Sequence, residues 1–348
     1  MVALRASTGE RVWHFQVVHH DLWDYYVASP PLLATLQKDG RETPVVLQTT
    51  KTGQLFVLDR ETGAPVFPVE ERPVPQSTVP GEEAWPTQPF TSLPALSPQR
   101  FTAGDAWGIT PFDRRACRRQ IAALRNDGVF TPPSLEGSLV VPHNIGGAHW
   151  GGVAYDPERQ MAVVPVNHIA AYVQVFPRER YDEAEAERSD YEYARMRGTP
   201  YMMRRGTVLS PLGLPCTPQP WGALVAISLE TGKKLWEVPL GTTRDVFASK
   251  IHIPLSFDWG TPSLGGAIVT AGGLVFIAAA MDDYLRAFDV ETGRELWRGR
   301  LTAGAQATPM TYRLDQTGRQ FVVVAAGGHG KLGTDRGDYL VAFALPAR

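Results

Sequence analysis

One pattern recurs four times and constrains the fold more than anything else in the chain. Residues 2–13, 56–67, 224–236 and 285–297 each read as an apolar strand, a Thr-Gly turn and a second strand. The fourth residue after the glycine is aromatic in all four: Trp13, Phe67, Trp236 and Trp297. Glycine supplies the positive φ that such a turn needs. An Asp or Glu before the Thr-Gly pair can bond the turn's backbone. A fixed turn-to-aromatic distance suits packing between neighbouring sheets. The turn glycines Gly9, Gly63, Gly232 and Gly293 lie 54, 169 and 61 residues apart. If the long gap holds two degenerate units, one of them around Asp156 in 152–165, the period is about 55–60. That approaches the ~40–50 residues of a propeller blade. An ordinary β-sandwich is the alternative, and the recurring aromatic favours the propeller.

The end of the chain continues the pattern. Residues 267–270, 273–278, 321–325 and 339–343 read as further strands between Gly-, Asp- and Thr-rich turns. With 33 glycines, 29 prolines and nine tryptophans among 348 residues, the chain is expected to be all-β. Two stretches break the rhythm. Residues 70–135 are Pro-rich and irregular apart from an expected helix at 112–126, which carries five arginines and Cys117. Residues 177–215 are charged, then Met- and turn-rich. Both read as long insertions between blades, and long loops are often functional.

Bulk properties exclude some partners. The net charge of −2 gives no global basic field for nucleic acid, and no polybasic run suggests a membrane surface. No 18-residue apolar run and no signal-peptide core is visible. Cys117 and Cys216, 99 residues apart, fit no compact metal motif; a disulfide and two free thiols are both open.

The chemistry-bearing stretch is 17–25, where His19, His20, Asp21, Trp23, Asp24 and Tyr25 crowd a loop that leaves a strand. Such loops carry sites on rigid scaffolds. A second charged loop tip, Lys51, follows 27 residues after Asp24. One reading makes Asp24 a general base and Lys51 the partner of an anionic or carbonyl-rich ligand; the other leaves both solvated. Spacing alone does not separate Asp24 from Asp21.

These strings resemble a known family. His19-His20-Asp21-Leu22-Trp23-Asp24 and Lys51-Thr52-Gly53-Gln54-Leu55-Phe56-Val57-Leu58-Asp59-Arg60 look like the C-terminal part of PQQ-dependent quinoprotein dehydrogenases, in the membrane-bound glucose, quinate and shikimate branch. Pro86-Thr87-Gln88-Pro89-Phe90, Leu212-Gly213-Leu214-Pro215-Cys216, Gln306-Ala307-Thr308-Pro309-Met310 and Ala326-Gly327-Gly328-His329-Gly330 are similar to strings typical of that branch. The resemblance implies about four to five blades of an eight-bladed β-propeller, with PQQ on its axis beside calcium or magnesium. It implies oxidation of a sugar or polyol hydroxyl, electrons passed to a membrane quinone, and a place at the periplasmic face of the inner membrane.

By position, Asp24 matches the base that takes the substrate's hydroxyl proton, and Lys51 the cation against the quinone oxygens. His149, Trp150 and Asp282 match cofactor-contacting places, and His329 a residue that shapes substrate preference. The family's metal ligands and stacking tryptophan lie in earlier blades that this chain does not contain, so no metal ligand is assigned here. The start at Met1, within what reads as a strand, suggests a piece of something longer. A non-enzymatic propeller scaffold and an inactive remnant are the rival expectations.

Overall fold

A computed structural model describes residues 1–38, 40–245 and 256–346. The strands, in chain order, are Val2–Leu4 (β1), Arg11–His14 (β2), Leu32–Lys38 (β3), Arg41–Thr49 (β4), Leu55–Asp59 (β5), Val69–Pro73 (β6) and Thr87–Thr91 (β7). After helix α1 (Pro111–Ala122) come Ser138–Val140 (β8), Ala154–Asp156 (β9), Met161–Asn167 (β10) and Ala171–Pro177 (β11). A short helix α2 (Glu183–Glu187) precedes Glu192–Arg195 (β12), Tyr201–Thr207 (β13), Gly222–Ser228 (β14) and Lys234–Pro239 (β15). The last strands are Ala267–Val269 (β16), Leu274–Ile277 (β17), Tyr284–Asp289 (β18), Glu295–Arg300 (β19), Met310–Arg313 (β20), Gln320–Ala326 (β21) and Tyr339–Ala344 (β22).

Every strand pairing is antiparallel. Five sheets follow one another: β1-β2, β3-β4-β5, β15-β14-β10-β9, β16-β17-β18-β19 and β20-β21-β22. Shared cores join them face to face. Leu36, Leu47 and Val57 pack with Val164 and Val225; Ala226 and Met161 pack with Val275 and Phe288; Leu285 packs with Val322 and Val324.

The repeat explains how the sheets lock together. In three of the hairpins the tryptophan pairs across the strands with an alanine (Ala3, Ala226, Ala287), which leaves room for the indole. The aromatic then covers the turn of the next unit. A methyl group added to Gly63 would sit 2.6 Å from Trp13, one on Gly232 3.3 Å from Phe67, and one on Gly293 2.7 Å from Trp236. Trp13 Nε1 also donates to the Arg60 carbonyl at 3.0 Å, and Trp236 Nε1 to that of Val290 at 2.9 Å. The four turn glycines of the repeat have φ between +70° and +75°.

The two irregular stretches lie beside this stack. The β6-β7 hairpin and α1 fall within 70–135, and α2, β12 and β13 within 177–215. The strands β12 and β13 join β11 and β8 in a separate four-stranded sheet, a regularity that the composition of 177–215 hides. The helix expected at 112–126 runs instead over Pro111–Ala122, with Thr110 accepting from the Asp113 N–H as N-cap. Its expected last turn is captured by tertiary pairing: the Arg125 N–H donates to Gly137, and the Leu139 N–H to Arg125. Cys117 and Cys216 form a disulfide within a core of Phe101, Ile121, Leu139 and Val208. Among the described residues no helix is long and apolar enough to cross a membrane.

Candidate active site

Asp24 sits on the β2–β3 loop at φ 67°, a left-handed conformation that Asp tolerates better than most residues. The loop is pinned on both sides. The Trp23 indole, 3% exposed, donates to the Thr131 carbonyl at 2.8 Å, and the Tyr25 hydroxyl to that of Pro142 at 2.5 Å. His19 exchanges two backbone bonds of 2.7 Å with the Gln88 amide, and its ring meets Glu71 at 2.9 Å. The histidines of this stretch therefore anchor or flank the loop. Asp21 accepts the Trp23 N–H at 2.9 Å, and burial raises its pKa, with the Asp24 carboxylate adding to the shift.

Lys51 is not a solvated tip. It is 2% exposed, because the 143–149 segment lies over it. Gly147 N–H donates to the Lys51 carbonyl at 2.8 Å, and a methyl group on Gly146 would stand 2.7 Å from Lys51 Cγ. The Lys51 ammonium donates to the Asp24 carbonyl at 2.9 Å and contacts Asp24 Oδ2 at 3.3 Å, with the Tyr26 ring 3.8 Å away. Burial lowers the Lys51 pKa, while Asp24 opposes that shift. A buried ammonium gains from the carboxylate facing it.

A third charge reaches the same oxygen. Arg205, on β13, places Nη1 3.2 Å from Asp24 Oδ2 and Nε 3.1 Å from Glu192 on β12. Sequence reasoning missed it: the arginine lies 181 residues from its partner in an irregular-looking stretch. Asp24 remains 43% exposed, and Oδ1 has no protein partner among the described residues.

Two buried histidines border the cations. His143 Nδ1 accepts the Ile145 N–H at 3.0 Å, which leaves Nε2 to donate to the Thr207 hydroxyl at 3.2 Å. Burial, then Arg205 and Lys51, lowers its pKa to about 3. His149 is lowered to about 4, first by burial and then by Lys51. Both imidazoles are therefore neutral near pH 7. His149 stands edge-on to Trp150 with ring centres 4.3 Å apart, and Trp150 lies 6.2 Å from His329. Trp150 is half exposed. Among the described residues the buried Nδ1 atoms of His149 and His329, Asn144 Oδ1 and Ser97 Oγ have no hydrogen-bond partner.

Five of the six expected site residues thus form one neighbourhood: Asp24, Lys51, His149, Trp150 and His329. Asp282 belongs to another. It is fully buried, holds Arg286 through two bonds of 2.8 and 2.5 Å, and accepts from the Thr242 N–H and hydroxyl at 2.7 and 2.8 Å. Among the described residues no group of three or more His, Cys, Asp or Glu side chains is arranged to hold a metal ion.

Comparison with known proteins adds to this geometry. The model of the glucose/ethanol/alcohol dehydrogenase β-propeller domain, a PQQ family, matches residues 1–322. Quinoprotein glucose dehydrogenase of Escherichia coli is 42% identical over 99% of the chain and 44% of its own length. The quinate/shikimate dehydrogenase (quinone) of Acinetobacter baylyi is 39% identical, again over 99% and 44%. The chain therefore spans less than half the length of these relatives. Among solved structures, a europium-containing methanol dehydrogenase superposes with a TM-score of 0.57 at 22% identity, over 94% of this chain and 44% of that one. That likeness supports the fold alone.

Proposed function

The chain belongs to the PQQ glucose/ethanol/alcohol dehydrogenase β-propeller family, and on that premise we propose that it supplies the proton-accepting side of a quinoprotein dehydrogenase site. The observation that carries this reading is the Lys51–Asp24–Arg205 cluster: one carboxylate oxygen gripped by two cations, the other open.

The residues present fit PQQ, a quinone that carries carboxylates. Lys51 and Arg205 offer cationic donors, and the unpartnered nitrogens of His149 and His329 lie in the same neighbourhood. Lys51, His149 and Trp150 would hold the cofactor. When bound, PQQ supplies the two-electron acceptor. The chain's own part is to place Asp24. Oδ2 is fixed by Lys51 and Arg205, so Oδ1 is free to accept the proton of a substrate hydroxyl, as a general base must. The Lys51 ammonium, held without water on most sides, would stabilise negative charge developing beside it. Neutral His149 adds no further positive charge there. His329, beyond Trp150, would contact the substrate, and Asp282 would act on the site only by positioning.

The substrate class is a sugar or polyol of the glucose, quinate or shikimate type, with a membrane quinone receiving the electrons at the periplasmic face of the inner membrane. Calcium or magnesium would be held mostly by residues outside this chain.

A chimera tests the proposal. The chain replaces the homologous 44% of the E. coli relative, and the product is loaded with PQQ and calcium. Glucose- or quinate-dependent reduction of an artificial dye is expected, and loss of that activity in Asp24→Asn with PQQ absorbance retained. An active Asp24→Asn chimera would remove the base role. A folded chimera without PQQ absorbance would remove the cofactor reading.

A further inference from the structure

We propose that helix α1 is a docking face for an anionic phospholipid surface. The inference uses none of the residues of the active-site reading. The helix is amphipathic in an unusual sense. Asp113, Cys117 and Ile121 are buried against the body of the protein. At roughly 100° per residue, Arg115, Arg118 and Arg119 fall away from that face and Arg114 on its flank, and all four are exposed. They line one open groove of about 790 Å³ with Ile109, Pro111 and Ala122.

The charge there is not neutralised. Among the described residues no carboxylate forms an ion pair with any of the four arginines. Arg114 donates Nε to the Ala106 carbonyl at 2.9 Å, which orients it without compensating its charge. A chain of net charge −2 therefore concentrates four positive charges on about two turns of helix. Natural surfaces usually intersperse opposite charges, so a single-sign patch calls for an anionic partner.

Two features choose the partner. Phe112 is 86% exposed and Ile109 41% exposed, both at the start of the same helix. A soluble polyanion offers nothing for an exposed phenyl ring. A lipid interface takes apolar side chains into the acyl boundary while arginines meet the headgroups. The disulfide from Cys117 to Cys216 holds the helix to the β13–β14 connection, so the face is presented rigidly. A disulfide also points to an oxidising compartment, where anionic lipid is a commoner surface than nucleic acid.

The test uses the 348-residue chain and co-sedimentation with vesicles of phosphatidylcholine alone or mixed 3:1 with phosphatidylglycerol. Binding is expected to the mixed vesicles only, and to weaken with added salt. Each arginine near an anionic surface contributes about a fivefold gain in partition. Combined Arg115→Gln, Arg118→Gln and Arg119→Gln should therefore lower it about a hundredfold. The same three positions changed to Lys should retain binding, which separates charge from misfolding. Phe112→Ser should weaken it by about tenfold, an apolar side chain's share. Absent binding, equal binding to neutral vesicles, or an undiminished Gln variant would overturn the proposal. So would equal binding to heparin that Phe112→Ser leaves unchanged, which would mark a polyanion site. Dye reduction by the chimera should be the same with and without the three Gln substitutions, so failure here leaves the active-site reading standing.

Discussion

Asp24 and Asp282 are both aspartates on loops, and both face cations. Their surroundings are opposite. Asp282 is fully buried, with both oxygens occupied by Arg286 and two more donors from Thr242. Asp24 is 43% exposed and commits one oxygen to Lys51 and Arg205. A carboxylate buried with both oxygens engaged can hold structure together but is closed to a ligand. One gripped on a single side is oriented and still available. The difference shows why a titratable residue's place in a family motif says less about its work than the count of its unfilled hydrogen-bond positions.

Four measurements would break or sharpen that contrast. The largest effect is expected from Asp24→Asn, which should cut chimera turnover by about 10²–10⁴-fold, the usual share of a general base. Its stability should fall by less than that of the Asp282 variant, since Asn also accepts a positive φ and Lys51 keeps its bond to the residue-24 carbonyl. Asp282→Ala should do the reverse. It leaves Arg286 buried and unpaired, a loss of about 3–5 kcal/mol in unfolding free energy readable by urea denaturation. Equal stability losses at the two positions would erase the distinction.

The third effect is a pH dependence on the Asp24 side of the molecule. His143 titrates at about 3 in the folded chain, where Arg205, Lys51, the Thr207 hydroxyl and the Ile145 N–H surround it. Its ordinary value is 6.5. Below 6.5 the unfolded chain therefore gains a proton that the folded chain refuses, and stability falls between pH 6.5 and 3. At pH 5 the loss is about 2 kcal/mol, visible as a lower Tm than at pH 7; His149 adds to it in the same direction. His143→Gln should flatten the curve. The fourth, smaller effect is expected from Arg205→Met. It removes one charge-assisted bond to Asp24 while Lys51 keeps the other, so turnover should drop about tenfold. Glu192→Gln, one step further out, should stay within about twofold.

Much of the stack was legible because a repeat announces itself through spacing. The turn glycines and the aromatics four residues later lie within single hairpins, so local periodicity reveals them. The Asp24–Lys51 pairing was reachable only through resemblance, since a 27-residue interval has no local meaning. The accessory sheet was not readable. Its strand β13, Tyr201–Thr207, carries two methionines, two arginines and a glycine, and only pairing with β11 and β12 makes it a strand. Arg205 was invisible for the same reason. The disulfide stayed open because two cysteines 99 residues apart say nothing about proximity. The basic face of α1 was hidden in a net charge that sums over the whole chain.

The aromatic-over-glycine contact between sheets gives the stack a polarity, as a filament has a plus and a minus end. Each unit hands an aromatic forward and receives one from behind. At one end Gly9 has no atom within 4 Å where a Cβ would stand. At the other, Trp297 meets Phe343 of β22 edge-on at 5.1 Å, so the last sheet already covers it. The Gly9 end is thus the open receiver, and a further sheet of the same kind can join it in only one orientation.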